Sequence, residues 1–319
     1  MSLAVVFPGQ GSQSVGMLTA LAEAEPLVRQ TFAEASSVLG YDLWALCQQG
    51  PEADLGTTER TQPAMLAAGV ATWRVWQARG GPLPSAMAGH SLGEYTALVC
   101  SEALDFRTAV DLVRFRGQAM QRAVPLGHGA MAAVLGLDDE SIEAACREAA
   151  QGEVVEPVNF NAPGQVVIAG HATAVARAIE AAKARGAKRA MALPVSVPSH
   201  SSLMVGAADE LAERLAGVEV RVPSVPAVYT VDVKVHASPE GIRRALREQL
   251  FRPVRWAETV RAMIAGGVTT FVECGPGRVL TSLGRRIERR PDLRMLAIDD
   301  PETLAAALAA AGETNRAGK

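Results

Sequence analysis

The pentapeptide Gly89-His90-Ser91-Leu92-Gly93 constrains this chain more than any other stretch. A short run of small residues, Ser85 to Ala88, precedes it, and Glu94 to Val99 reads as the start of a helix. A serine set between glycines, after a strand and before a helix, is the pattern of a nucleophile elbow. The glycines permit a tight turn that lifts the hydroxyl clear of the backbone. The helix N-terminus brings partial positive charge to where negative charge would develop. Elsewhere G-x-S-x-G is a common chance match in glycine-rich loops, so the strand and helix on its two sides give the motif its weight.

Strand-like and helix-like segments alternate around the elbow, which predicts an α/β fold. Leu3 to Phe7 is a buried strand closed by Pro8-Gly9. Thr269 to Cys274 and Leu293 to Ile298 are later strands, and Pro301 to Ala311 is a last helix before a polar tail, 312–319, expected to fray. The middle differs. Gly129 to Leu137, Val154 to Phe160, Gln165 to Ala169 and Lys188 to Val195 read as strands, with helices over Asp139 to Ala150 and Ala172 to Arg185. That order, β-α-β-β-α-β, is the split βαβ of ferredoxin-like units. The expectation is a small unit, 126–195, inserted in a larger α/β unit made of 1–125 and 196–319. Pro125-Leu126-Gly127 and the run Pro194 to Pro198 would be its hinges.

A serine nucleophile needs a base. His90 adjoins Ser91, where neighbouring side chains usually diverge. His128 and His236 sit in polar or glycine-rich loops, and His171 follows a strand of the insert. His200, in Pro198-Ser199-His200-Ser201, lies downstream of the serine on a loop before a helix, which fits the Ser-then-His order of hydrolase-like folds. Spacing alone leaves all five in play. Asp209 and Asp232 are possible third members, but neither has a distinctive context. Gly9-Gln10-Gly11 follows the first strand. A glycine is missing at Ser14 for a dinucleotide loop, and a Walker A lysine is missing too. Gln10 could still aim donors at an oxyanion, although an ordinary tight turn explains the glycines as well.

Asp105 reads as the N-cap of a helix reaching about Met120. At about 100° per residue, Phe106, Ala109, Leu112, Val113, Gly117 and Met120 share one arc. Arg107, Asp111, Arg114, Gln118 and Gln121 share the other, with Arg107–Asp111 as an i,i+4 pair. Arg116 falls inside the apolar arc. A guanidinium there must find an anion or extend to solvent. Snorkelling or a structural ion pair is one reading, and a bidentate clamp for a substrate carboxylate is the other.

Together these segments resemble the malonyl-CoA:acyl-carrier-protein transacylases of bacterial fatty-acid synthesis. The matching stretches are FPGQGSQ, AGHSLGEY, RFRGQAM, NFNAPGQVVIAG, PVSVPSH and ECGPGRVL, spread over nearly the whole chain. The resemblance implies an α/β-hydrolase-like large subdomain with a ferredoxin-like small one. It implies Ser91 as nucleophile, His200 as its base and Arg116 as clamp for the malonyl carboxylate. It places Gln10 and the backbone N–H of Leu92 in the oxyanion hole. It also replaces the missing acid by a main-chain carbonyl, here that of Gln249. One departure stands at Val228-Tyr229-Thr230-Val231-Asp232, where the family pattern has an asparagine in place of Tyr229 or Thr230.

The partners then expected are malonyl-CoA, as a substrate rather than a cofactor, and holo acyl carrier protein. No metal is expected. A free-standing polyketide-pathway acyltransferase and a serine esterase or thioesterase are the alternatives. With 31 basic and 34 acidic residues, net charge −3, the chain lacks the basic balance of a nucleic-acid binder. Four scattered cysteines without a CxxC pair, and an N-terminal apolar run too short for a signal peptide or a span, predict a cytoplasmic protein without a membrane partner. A monomer is expected. Carrier proteins are acidic, so docking is predicted on basic residues: Lys188 and Arg189 in the insert, or Arg285 and Arg286 after Gly275-Pro276-Gly277.

Overall fold

Ser2–Phe7, an almost wholly buried run rich in branched and aromatic side chains, forms the strand β1 on which the rest is built. A computed structural model describes residues 2–195 and 197–317. The other strands are β2 (Ala86–Gly89), β3 (Gly129–Leu135), β4 (Val155–Ala162), β5 (Gln165–His171) and β6 (Arg189–Ala192). They continue with β7 (Ala227–Tyr229), β8 (Lys234–Val235), β9 (Val268–Cys274) and β10 (Arg294–Ile298).

Among the described residues these make two sheets. The larger has the order β10-β9-β1-β2-β7-β8 and is parallel except for the β7–β8 pair. Its central strands are covered on both faces, as parallel strands must be. One face packs on helices Pro26–Leu39, Thr58–Ala78 and Phe106–Ala123, the other on Trp256–Ala265 and Val279–Ile287. β1 lies between β2 on one side and β9 on the other. The helices that follow β1 and β2 pack on one face and the helix that follows β9 on the other, so the connections diverge at the centre of the sheet and a crevice opens beyond the carboxyl ends of its strands.

The smaller sheet is antiparallel in the order β4-β5-β3-β6, backed by helices Asp139–Ala150 and Ala172–Ala184. The two sheets are tied together. Val254, just before helix Trp256–Ala265, pairs with β4 through Phe160 N–H to Val254 O (2.9 Å) and Val254 N–H to Val158 O (2.8 Å).

The elements expected from the sequence are present to within about three residues at their ends, β7, β8 and the helices between β1 and β2 were not foreseen, and three expectations need correction. β6 ends at Ala192 rather than Val195, because Pro194 has no N–H with which to continue the ladder. The last helix runs Pro301–Ala317, so the tail through 317 is helical rather than frayed. Thr314 bonds Thr270 of β9 at 2.9 Å, and Glu313 pairs with Arg294 of β10 at 2.6 Å. Finally, Arg107 donates to Ser37 Oγ (2.8 Å) instead of pairing with Asp111, which is taken by Arg114 and Arg214. Ser196, within the second expected hinge, and Met1, Gly318 and Lys319 lie outside the described residues.

Candidate active site

Ser91 sits just beyond β2, at the head of helix Gly93–Cys100, with φ at 53°. Left-handed backbone at a non-glycine residue is strained, and here it turns the hydroxyl into the crevice. The flanking glycines are required by space. A Cβ on Gly89 would stand 1.8 Å from the Gly93 carbonyl carbon, and one on Gly93 would stand 2.1 Å from Phe7 O. The elbow is thus pressed against the end of β1.

His200 meets it from the other side of the crevice. Its Nε2 is 2.7 Å from Ser91 Oγ, and its Nδ1 is 2.6 Å from the carbonyl oxygen of Gln249. A carbonyl only accepts, so Nδ1 carries the proton and Nε2 is left to accept from the serine. His200 also has positive φ, 66°, and its N–H is anchored on Leu250 O at 2.9 Å. Gln249 follows the C-terminus of helix Pro239–Glu248. Its carbonyl therefore carries the partial negative charge of a helix end and orients the ring as an acid would. Burial, followed by the nearby Arg116 cation, pushes the His200 pKa down to about 3, so the ring is a neutral base at rest.

Asp209 and Asp232, the acids weighed from the sequence, are elsewhere: Asp209 pairs with Arg247 and Asp232 with His236. The other histidines fall away too. His90 turns to Asn161 Oδ1 (2.8 Å), His171 accepts from Val154 N–H (3.0 Å), and His128 is exposed.

Arg116 is 1% exposed. Every member of the apolar arc drawn from the sequence is buried with it. Among the described residues the guanidinium has no direct carboxylate partner. Nη1 donates to Gln62 Oε1 (2.9 Å), and Nη2 donates to Gln249 Oε1 (2.9 Å) and reaches Ser91 Oγ at 3.4 Å. Nε has no partner, and the Tyr95 ring lies 5.5 Å from the charge centre. Burial holds its pKa below the usual arginine value.

Gln10 lies on the loop that leaves β1 beside the elbow, where a Cβ on Gly9 would stand 2.4 Å from His90 O. Neither the Gln10 nor the Leu92 N–H has an intramolecular acceptor among the described residues. Two free donors near the serine suit an oxyanion.

Sequence reasoning missed Gln62, Glu94 and Thr230. Gln62 is the polar residue in a buried stretch of helix Thr58–Ala78, Glu94 is an acid in a buried helix, and Thr230 stands where the family pattern differs. No apolar run marks the first two, since Gln62 follows Thr58-Glu59-Arg60-Thr61 and Glu94 follows the elbow, so their burial comes from tertiary packing.

The expected docking residues are all exposed. Lys183 and Arg185 are paired with Glu180 and Glu148, and Arg290 with Asp292. Lys188, Arg189, Arg285, Arg286 and Arg289 have no acidic partner among the described residues. Arg286 bonds Gln165 of β5 at 2.9 Å, and β5 is separated from β6 only by β3. Neighbouring strands lie about 4.8 Å apart, so the two basic clusters approach one another.

Comparison with known proteins shows the family. Residues 4–297 match the acyl transferase domain family. The chain is 59% identical over 305 residues to the malonyl CoA-acyl carrier protein transacylase of Escherichia coli strain K12, covering 96% of this chain and 98% of that protein. It is 43% identical over 314 residues to the transacylase of Bacillus subtilis, with 98% of each covered. Among solved structures it superposes with a TM-score of 0.95, at 59% identity, on a malonyl-transacylase in complex with its type II PKS acyl-carrier protein, covering 97% of this chain and 100% of that one. A transacylase of Coxiella burnetii gives a TM-score of 0.95 at 51% identity, with 97% of each chain covered. The chain therefore belongs to the malonyl CoA-acyl carrier protein transacylases of the acyl transferase domain family.

Proposed function

We propose that this protein transfers the malonyl group from malonyl-CoA to the phosphopantetheine thiol of holo acyl carrier protein, through a malonyl ester on Ser91. One observation carries the reading: a buried guanidinium without a carboxylate of its own stands 3.4 Å from the nucleophile of a Ser–His pair. A buried cation held only by neutral amides is costly unless an anion joins it. The free carboxylate of a malonyl thioester supplies that anion, and an acetyl thioester has none.

The steps follow from the hydrogen bonds. His200 Nε2 takes the Ser91 proton as Oγ attacks the thioester carbonyl. The oxyanion is held by the N–H groups of Leu92 and Gln10. Collapse breaks the carbon–sulfur bond, and His200 returns the proton to the departing coenzyme A thiolate. The carrier thiol then enters, gives its proton to His200 and attacks the ester, and as the carbon–oxygen bond to Ser91 breaks His200 returns that proton to Oγ. The Gln249 carbonyl steadies the imidazolium formed in each half. No cofactor takes part, and the thioester is a substrate.

An α/β-hydrolase-like catalytic unit, 1–125 and 196–319, holds Ser91, His200 and Arg116. A ferredoxin-like unit, 126–195, is inserted in it, supported by the β4-β5-β3-β6 order of an antiparallel sheet backed by two helices. The protein acts as a cytoplasmic monomer. No described helix is long and apolar enough to cross a membrane. A polyketide carrier is a second reading, favoured by the 59% identity to a transacylase solved with a type II PKS carrier.

Intact-mass analysis after mixing with malonyl-CoA tests the proposal. The wild-type protein gains one malonyl group and loses it to holo carrier protein, and Ser91→Ala gains nothing. Stoichiometric acylation of the variant at another residue would overturn the assignment. Transfer rates to fatty-acid and polyketide carriers then separate the two readings.

A further inference from the structure

Glu94 lies three residues beyond the nucleophile, inside the elbow helix, and is 2% exposed. A carboxylate at that depth needs donors, and it has three. Oε1 accepts from Thr230 N–H (2.7 Å) and Thr230 Oγ1 (2.6 Å), and Oε2 accepts from Gln249 Nε2 (2.6 Å). The second N–H of that amide goes to Ser91 O at 2.9 Å. Both of its hydrogens therefore face acceptors, and its oxygen is turned to Arg116 Nη2 at 2.9 Å.

An amide is nearly symmetric in shape, so its orientation is decided by its neighbours. Turned over, Gln249 would set its oxygen against a carboxylate and a carbonyl, and its NH2 against a guanidinium. Only the observed orientation leaves an acceptor for Arg116. The amide also keeps the two charges apart. A carboxylate bonded directly to Arg116 would occupy the fork that a substrate carboxylate needs. One amide away, Glu94 steadies the cation and leaves it unpaired.

We infer that Glu94 is a positioning residue for Arg116: acting through the side-chain amide of Gln249, it fixes the guanidinium for the substrate carboxylate and keeps its fork open. This rests on the proposed role of Arg116 as the malonyl clamp. Burial raises the Glu94 pKa to about 7, which the Thr230 and Gln249 donors oppose, so the acceptor role is held by hydrogen bonds rather than by solvent. Thr230, at the departure from the family pattern, is the anchor that fixes the carboxylate.

The substitution Glu94→Gln is the test, because its polarity is dictated. Thr230 N–H can only donate, so the new amide keeps its oxygen there and turns its NH2 toward Gln249. Gln249 must then flip or face a second NH2, and Arg116 loses its acceptor. Acylation of Ser91 by malonyl-CoA is compared with acylation by p-nitrophenyl acetate, which has no carboxylate. Expected is a malonyl kcat/KM lower by about 10- to 100-fold, the loss of one hydrogen bond to a charged group. The acetate ester should change by less than about threefold, on the same grounds. In an Arg116→Ala background, Glu94→Gln should cost malonyl transfer nothing further. Equal losses for both acyl donors, no loss, or additive losses in the double variant overturn the inference. If Arg116→Ala is itself unselective between the donors, the clamp reading fails as well. If Arg116→Ala is selective and Glu94→Gln is not, only the inference fails. Should Glu94→Gln not fold, Thr230→Val removes one tether with little change in shape. The same malonyl-selective loss, smaller in size, is expected there, and an unselective loss or none overturns the inference.

Discussion

Arg116 leaves its mark on the base of the Ser–His pair. Arg116 is the second cause, after burial, of the depressed His200 pKa of about 3. The acid limb of kcat/KM reports the free enzyme's base. With p-nitrophenyl acetate the wild-type protein should therefore show no loss of acylation near the ordinary histidine value of about 6.5. Arg116→Ala removes a cation, so the His200 pKa rises and the limb moves to higher pH. A limb that stays in place would mean that the two charges do not sense one another. The same variant should lose malonyl transfer by roughly 2–5 kcal/mol, as truncated buried charge pairs do. Acetyl-CoA should be used no less well than before. Equal losses would make Arg116 structural. The arc of helix Phe106–Ala123 singles out Arg116 in the sequence, but that it bonds amides directly, with the Glu94 carboxylate one amide behind, is a matter of what the other elements bring.

At the scale of elements, the elbow works because β1, β2 and helix Gly93–Cys100 touch without side chains between them. Gly93→Ala puts a methyl 2.1 Å from Phe7 O, on a strand that cannot yield. The elbow must move, and the Ser91–His200 contact of 2.7 Å moves with it. Thermal unfolding should show a loss of about 1–3 kcal/mol, the usual cost of overpacking, and malonylation by mass should be all but lost. Gly206, in helix Val205–Ala216, is the contrast. A Cβ there meets nothing within 4 Å. Gly206→Ala should leave malonylation intact and stabilise by up to about 1 kcal/mol. A Gly93→Ala protein of normal activity would show that the elbow is looser than its contacts require. The glycine spacing made this element legible from sequence. His200 was not legible in the same way, because its ring and its N–H are held by the distant Gln249 and Leu250 carbonyls.

Across the whole molecule, the small sheet and the helix after Gly275-Pro276-Gly277 bring two basic clusters together through Arg286 and Gln165. The net charge of −3 conceals this surface. We propose that it receives the acidic carrier protein. Reversing Lys188 and Arg189, or Arg285 and Arg286, to Glu should raise the apparent KM for holo carrier protein severalfold at low ionic strength. Self-acylation by malonyl-CoA, which precedes docking, should be nearly unchanged. The effect should fade as salt shortens the screening length to about 8 Å at physiological strength. Unaltered carrier kinetics in both variants at low salt would move the docking site to another face.

Local pattern determined much of this protein. Short apolar runs closed by turns mark the strands, a 3.6-residue period marks the helix of Arg116, and glycine spacing marks the elbow. These are properties of neighbours along the chain, so the chain displays them. The resemblance to a family named His200, Gln249 and Leu92, which spacing alone left open or unseen. The tertiary structure decided what depends on distant partners. It gave His200 a helix-end carbonyl in place of an acid, left Arg116 among neutral amides, and set Glu94 behind Gln249 with Thr230 as its anchor. Those contacts join residues 49 to 155 positions apart. No periodicity reaches that far, because hydrogen bonds of this kind are chosen by the packing of helices and sheets.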